Sequence, residues 1–158
     1  MSRFFDIDAA EATLPEVEPI LAGLRDQLAE LTRLRRTEVE LEAAIDAPVN
    51  PGPPGESGSG GRSAPGRRAG RETARAADEL RVIRLRMQGL VDQMQAAVAQ
   101  IDGQGVVLRD IPTGLVDFPA LVAGRQVWLC WRLGEERVGW WHEVDTGFGG
   151  RRPLEELE

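Results

Sequence analysis

The chain has 158 residues, 42% of them apolar, with a formal net charge of −7 and a single Cys. That length suits one compact domain with room for an extended appendage. No run reaches the ~20 apolar residues of a membrane span, one Cys excludes an internal disulfide framework and a multi-Cys zinc site, and the acidic balance is the wrong sign for a general nucleic-acid binder.

All nineteen basic residues are Arg, and there is no Tyr. Charge is spread unevenly: residues 1–47 carry five Arg and eleven acids, residues 56–86 eight Arg and four acids, and residues 102–158 six Arg and ten acids.

The opening stretch, MSRFFDIDAAEATLPEVE, places acids where a signal peptide needs an apolar run, which predicts a cytoplasmic protein. Asp8 suits the cap of a short helical turn, with Glu11 completing a capping-box-like pattern. Pro15 then fits the first turn of a long helix, where its missing N–H costs nothing. Val17, Ile20, Leu21, Leu24, Leu28, Leu31, Leu34, Leu41 and Ile45 share one face of that helix, predicted from Glu16 to Asp46. The apolar stripe spans about half the circumference, broader than the ~100° of a single contact face. Such a width asks for more than one partner, the second being the C-terminal module or another chain.

Residues 47–70 read APVNPGPPGESGSGGRSAPGRRAG, a composition expected of a disordered connector. Its Arg62, Arg67 and Arg68 read better as solubilising charge than as a nucleic-acid tail. A second helix is predicted from Arg71 to Gln100, ended by Asp102-Gly103. Leu80, Ile83, Met87, Leu90, Met94, Ala97 and Ile101 fall at heptad spacing along it, which makes the Met residues packing rather than a soft metal site. Two helices of ~45 Å at 1.5 Å per residue match as an antiparallel hairpin. The pairing brings Glu38, Glu40, Glu42 and Asp46 beside Arg71, Arg75, Arg81 and Arg84. Val82 and Leu85 point away from the seam, as contacts for a second chain.

Beyond Gly105 the pattern turns to short β segments: GVVLRDI (105–111), TGLVDFP (113–119), QVWLCWRL (126–133) and RVGWWHEV (137–144). Gly134-Glu135-Glu136 reads as a hairpin turn between the last two. The predicted fold is therefore α+β: a long, coiled-coil-like antiparallel helical hairpin over residues 1–104, then a small antiparallel sheet of three to four strands over 105–158. So small a sheet is marginal alone and should lean on the helix ends.

Two stretches resemble a known family. DIPTGLVDFPALVAGRQVWLCWRLGEERVGWWHEVDTGFGGRRPL (110–154) is similar to the signature of the bacterial family called domain of unknown function 2203, and FFDIDAAEATLPEVEPIL (4–21) resembles its opening motif. The Gly/Pro/Ser-rich insert at 47–70 departs from the shorter connection of that family. The resemblance implies no activity, substrate or catalytic residue.

The polar residues that match the family pattern are Asp110, Thr113, Asp117, Arg132, His142, Glu143, Asp145 and Arg151. Side chains alternate along a strand, so Val127, Leu129 and Trp131 share one face and Trp128, Cys130 and Arg132 the other. Trp140 and His142 likewise oppose Trp141 and Glu143. One sheet face can then serve the helices while the other gathers Arg132 with a carboxylate. Which of Asp117, His142 and Glu143 meets it depends on register, and a one-residue slip exchanges the faces. For a metal, His142 with Asp117 from another strand is the better pair, since the neighbours His142 and Glu143 point apart. The structural alternative is a His packed beside Trp and hydrogen-bonded to a carboxylate. Cys130 lies mid-strand and reads as a buried small hydrophobe rather than a nucleophile served by His142. Arg151, in the Gly-rich turn DTGFGGRR (145–152), is expected to pair with Asp145 or Asp117 rather than to bind an anion. The four Trp read mainly as filling for a small core.

Together these features point to a cytoplasmic interaction or scaffolding module, a homo-oligomer through its helices. The alternative is a small-molecule-binding or metal-dependent enzyme with a polar site on the β module. No cofactor is required by the sequence.

Overall fold

The computed structural model describes residues 3–47 and 65–157. Two long helices, α1 (Ile7–Asp46) and α2 (Pro65–Gly103), are followed by strands β1 (Val107–Asp110), β2 (Leu115–Val122), β3 (Arg125–Arg132), β4 (Trp140–Glu143) and β5 (Arg152–Pro153). The strands form one antiparallel sheet in sequence order. The α+β class with a helical hairpin therefore stands, with five strands in place of three to four; the fifth is a two-residue pairing against β4. No helix among the described residues is long and apolar enough to cross a membrane.

Both helices start earlier than their composition suggests. Asp6, not Asp8, is the cap of α1: its Oδ1 accepts from the Ala9 amide at 2.7 Å. Pro15 and Pro19 lie inside the helix, and both are exposed. On that side water can take the carbonyls that a proline leaves without a donor. Helix α2 begins at Pro65, so residues 65–70, assigned by composition to the connector, form its first turns. The rest of the expected connector, from residue 48 to residue 64, lies outside the described residues. At the other end Gly105 has φ +80°, and the Gly105 and Val106 amides donate to the carbonyls of Asp102 and Ile101 at 2.9 and 3.3 Å. This left-handed closure satisfies the last turn of α2 and turns the chain into β1.

The chain divides into two compact units, one of residues 1–30 with 91–158 and the other of residues 31–90. In the first, the register fixes what each sheet face carries. Val116, Phe118 and Ala120 of β2 share a face with Val127, Leu129 and Trp131 of β3 and with Trp141 of β4, and all are buried. They belong to the same core as Phe5, Ala10, Leu14, Val17, Leu21, Leu24, Met94 and Ile101. Phe5 meets Phe118 edge to face, ring centroids 5.2 Å apart. Its amide donates to the Pro119 carbonyl at 2.7 Å. Pro119 is tolerated in β2 because β1 pairs with β2 only up to Asp117, leaving that edge free of the ladder donor a proline lacks. The β2–β3 hairpin turns on Ala123-Gly124, both with positive φ (+51° and +77°), the backbone of a two-residue primed turn.

In the second unit, the predicted seam residues face inward but are thinly covered. Leu31 and Leu80 are buried, while Leu34, Leu41, Ile45, Ile83, Met87 and Leu90 are half-buried. Arg84 joins the helices, its Nε 3.2 Å from Glu38 and its Nη2 2.6 Å from Glu42. Those hydrogen bonds, Glu38 first, raise its pKa. Arg81 instead pairs with Asp78 on its own helix.

Candidate functional site

The sheet face opposite the core carries the polar chemistry. Asp117 sits directly across from Cys130, and His142 directly across from Trp128. Two-residue alternation then puts Asp117, Cys130 and His142 on one side, with Trp128, Trp140 and Arg132. Asp117, Cys130 and His142 are all buried, with exposures of 2%, 0% and 3%. One donor atom from each lies within 4.8 Å of the others.

Hydrogen bonding inside this cluster is lopsided. Asp117 Oδ2 accepts from Arg109 Nε at 2.8 Å and faces His142 Nε2 at 3.0 Å. Asp117 Oδ1 is equally buried and has no hydrogen-bond partner. His142 Nδ1 lies 2.8 Å from the Glu143 carbonyl oxygen, which can only accept, so Nδ1 carries a hydrogen. Nε2 then also faces an acceptor. A neutral imidazole has one N–H, so the Nε2–Oδ2 contact needs a shared proton, on the ring or on the carboxyl, or a cation. The Cys130 thiol is pushed up to about 12 by burial and, next, by the negative Asp117 beside it. A thiol so held is a poor nucleophile, because the thiolate is the reactive form.

Arginine–aromatic stacks flank the cluster. Arg109 lies 4.8 Å over the Trp128 ring, and Arg151 lies 4.8 Å over Trp140 and 4.9 Å over Phe148. Arg109 keeps 42% of its side chain exposed, which makes it the wet edge of a buried group. Glu135 Oε1 ties the β3–β4 turn to the C-terminal segment, accepting from Arg151 Nη2 and from the Arg132 amide, both at 2.7 Å.

A model of the family described as an uncharacterized conserved protein, DUF2203, matches residues 3–154. The chain belongs to the DUF2203 family. Comparison with curated proteins and with solved structures returned no match.

The register of this DUF2203 chain brings some of the sequence candidates together and separates others. Asp117 and His142 meet, but the arginine on Asp117 is Arg109 and not Arg132. Arg132 is exposed at the end of β3, its guanidinium 5.9 Å from the Phe148 ring. Glu143 faces the other way and pairs with Arg125 at 3.2 Å. Arg151 pairs with Glu135, not with Asp145 or Asp117, because the single turn at Phe148–Gly150 carries it back over Trp140. Asp145 stays exposed in the turn after β4. Asp110 accepts from the amide and hydroxyl of Thr113, and the hydroxyl bond leads in lowering its pKa. That pair closes the β1–β2 turn and stands apart from the cluster. The residues missed from sequence are Arg109 and Glu135. Arg109 was legible as a polar position in a strand, but only the β1–β2 register places it over Asp117.

Proposed function

We propose that this DUF2203 protein is a self-associating scaffold whose second unit, residues 31–90, pairs with a second copy of the chain. One observation carries the reading. Across both helices of that unit only Leu31 and Leu80 are buried among the described apolar residues, while Val39, Val82 and Leu85 are 64%, 65% and 74% exposed. A pair of helices has one contact layer and cannot enclose a core; a second pair laid against it can. The occupant is a second copy because the two strands of the hairpin are electrically complementary. Residues 37–46 carry four acids and no Arg, whereas residues 65–90 carry seven Arg and three acids. Glu38 and Glu42 are taken by Arg84 of the same chain; a two-fold axis would set the exposed Glu40 and Asp46 of one chain near the basic segment of the other, as a self-complementary interface requires. Val82 and Leu85, one helical turn apart, supply its apolar contact.

Sedimentation velocity on the full chain across a concentration series tests this. The expected result is a dimer or higher even assembly that becomes monomeric in the double variant Val82→Glu, Leu85→Glu with helicity retained. A wild-type chain that stays monomeric throughout overturns the proposal.

A further inference from the structure

The geometry points to a zinc site formed by Asp117, Cys130 and His142, one donor from each of the three central strands. It goes beyond the self-association reading and is independent of it.

Several observations converge. The three donor atoms already lie within 4.8 Å of one another, with no chain rearrangement needed to gather them. Tetrahedral zinc, with Zn–N and Zn–O near ~2.0 Å and Zn–S near ~2.3 Å, wants donors roughly 3.3–3.7 Å apart. The widest separation therefore has to close by about 1.5 Å at most. Asp117 is 2% exposed and its Oδ1 is buried without a hydrogen-bond partner, which leaves a carboxylate oxygen with free lone pairs in the cluster. Leaving such an atom unpaired is costly, and a cation relieves it.

His142 is held as a ligand would be held. Its Nδ1–H is spent on the Glu143 carbonyl at 2.8 Å, which fixes the tautomer that turns the Nε2 lone pair inward. Arg109 plays the matching part for Asp117, bonding Oδ2 at 2.8 Å and orienting the carboxylate. The donor set selects the ion. A thiolate with an imidazole favours zinc over magnesium or calcium, which take oxygen donors. On binding, the ion displaces the thiol hydrogen, and any hydrogen on Nε2, to solvent as protons. Three protein donors leave a fourth position for water.

Cobalt(II), a spectroscopic stand-in for zinc, provides the test on chelator-treated full-length protein. The expected result is one cobalt per chain, a thiolate-to-cobalt charge-transfer band, and loss of that band on adding one equivalent of zinc. Cys130→Ser should abolish the band, and His142→Ala and Asp117→Asn should each weaken uptake at least tenfold. Asp145→Asn, exposed in the turn after β4, should bind as wild type does. Far-UV circular dichroism confirms that each variant is folded. No uptake by wild type, or a band that survives in Cys130→Ser, overturns the site. Neither outcome bears on subunit number, so the two proposals fail separately.

Discussion

Alkaline pH should destabilise the metal-free protein through a single thiol. The chain has no Lys and no Tyr, so between about pH 8.5 and pH 12 Cys130 is its one titrating side chain. The unfolded thiol ionises near 9.0, whereas in the fold burial, then Asp117, hold it at about 12. The folded chain thus keeps a proton that the unfolded chain has already released. This contribution is intact below about pH 9 and is lost as the pH climbs toward 12, at up to about 1.4 kcal/mol per pH unit. From pH 8 the loss reaches roughly 1.4 kcal/mol at pH 10 and about 2.7 kcal/mol at pH 11. Urea unfolding in the presence of chelator measures it, read by the four Trp, which all lie between Trp128 and Trp141. Cys130→Ala begins less stable because it leaves a small void, but its stability should stay flat over this pH range. A wild-type midpoint that holds from pH 8 to pH 10, or a variant that falls in parallel, would refute the reasoning.

Other substitutions probe the frame that positions the cluster. Ala123 pays for its φ of +51°, so Ala123→Asn, giving Asn-Gly in the β2–β3 turn, should raise the urea midpoint by about 0.5–1 kcal/mol of stability. Gly114 has φ +66°, and a Cβ there would stand 2.5 Å from Leu133 Cβ; Gly114→Ala should cost about 2 kcal/mol or more in the same assay. Asp6→Ala removes the cap of α1 and should cost about 1 kcal/mol, visible as a lower thermal midpoint; an unchanged midpoint would return the start of the helix to Asp8.

Much of the fold is written in period and composition. The heptad run from Leu80 to Ile101 and the stripe from Val17 to Ile45 announce two helices of matched length, and none of those side chains is exposed in the structure. The alternation in residues 126–133 likewise separates Val127, Leu129 and Trp131 from Trp128, Cys130 and Arg132, and the first set lines the core. Boundaries are less legible, because local signals compete. Asp6 and Asp8 are both good caps, and Pro15 resembles a helix start although the apolar pattern from Ala10 runs straight through it. The exposed side on which Pro15 and Pro19 sit decides the matter, and that is a tertiary fact.

The site depends on register, which period alone does not set. Pairing Asp117 with Cys130 and Val107 with Asp117 sends Arg109, rather than Arg132, to the carboxylate. The turn at Ala123-Gly124 fixes the first of these pairings, and an Ala at positive φ is a weak sequence signal for it. Arg151 finds Glu135 because the chain doubles back through Phe148–Gly150. Nothing in the spacing of DTGFGGRR records that reversal.

Native mass spectrometry of the untagged full-length protein, sprayed after zinc loading and desalting, tests the scaffold most directly and reads bound metal in the same spectrum. The expected spectrum shows an even-numbered assembly, with one zinc per chain. A monomer at every concentration sprayed would contradict the self-association at its centre, whatever the metal content.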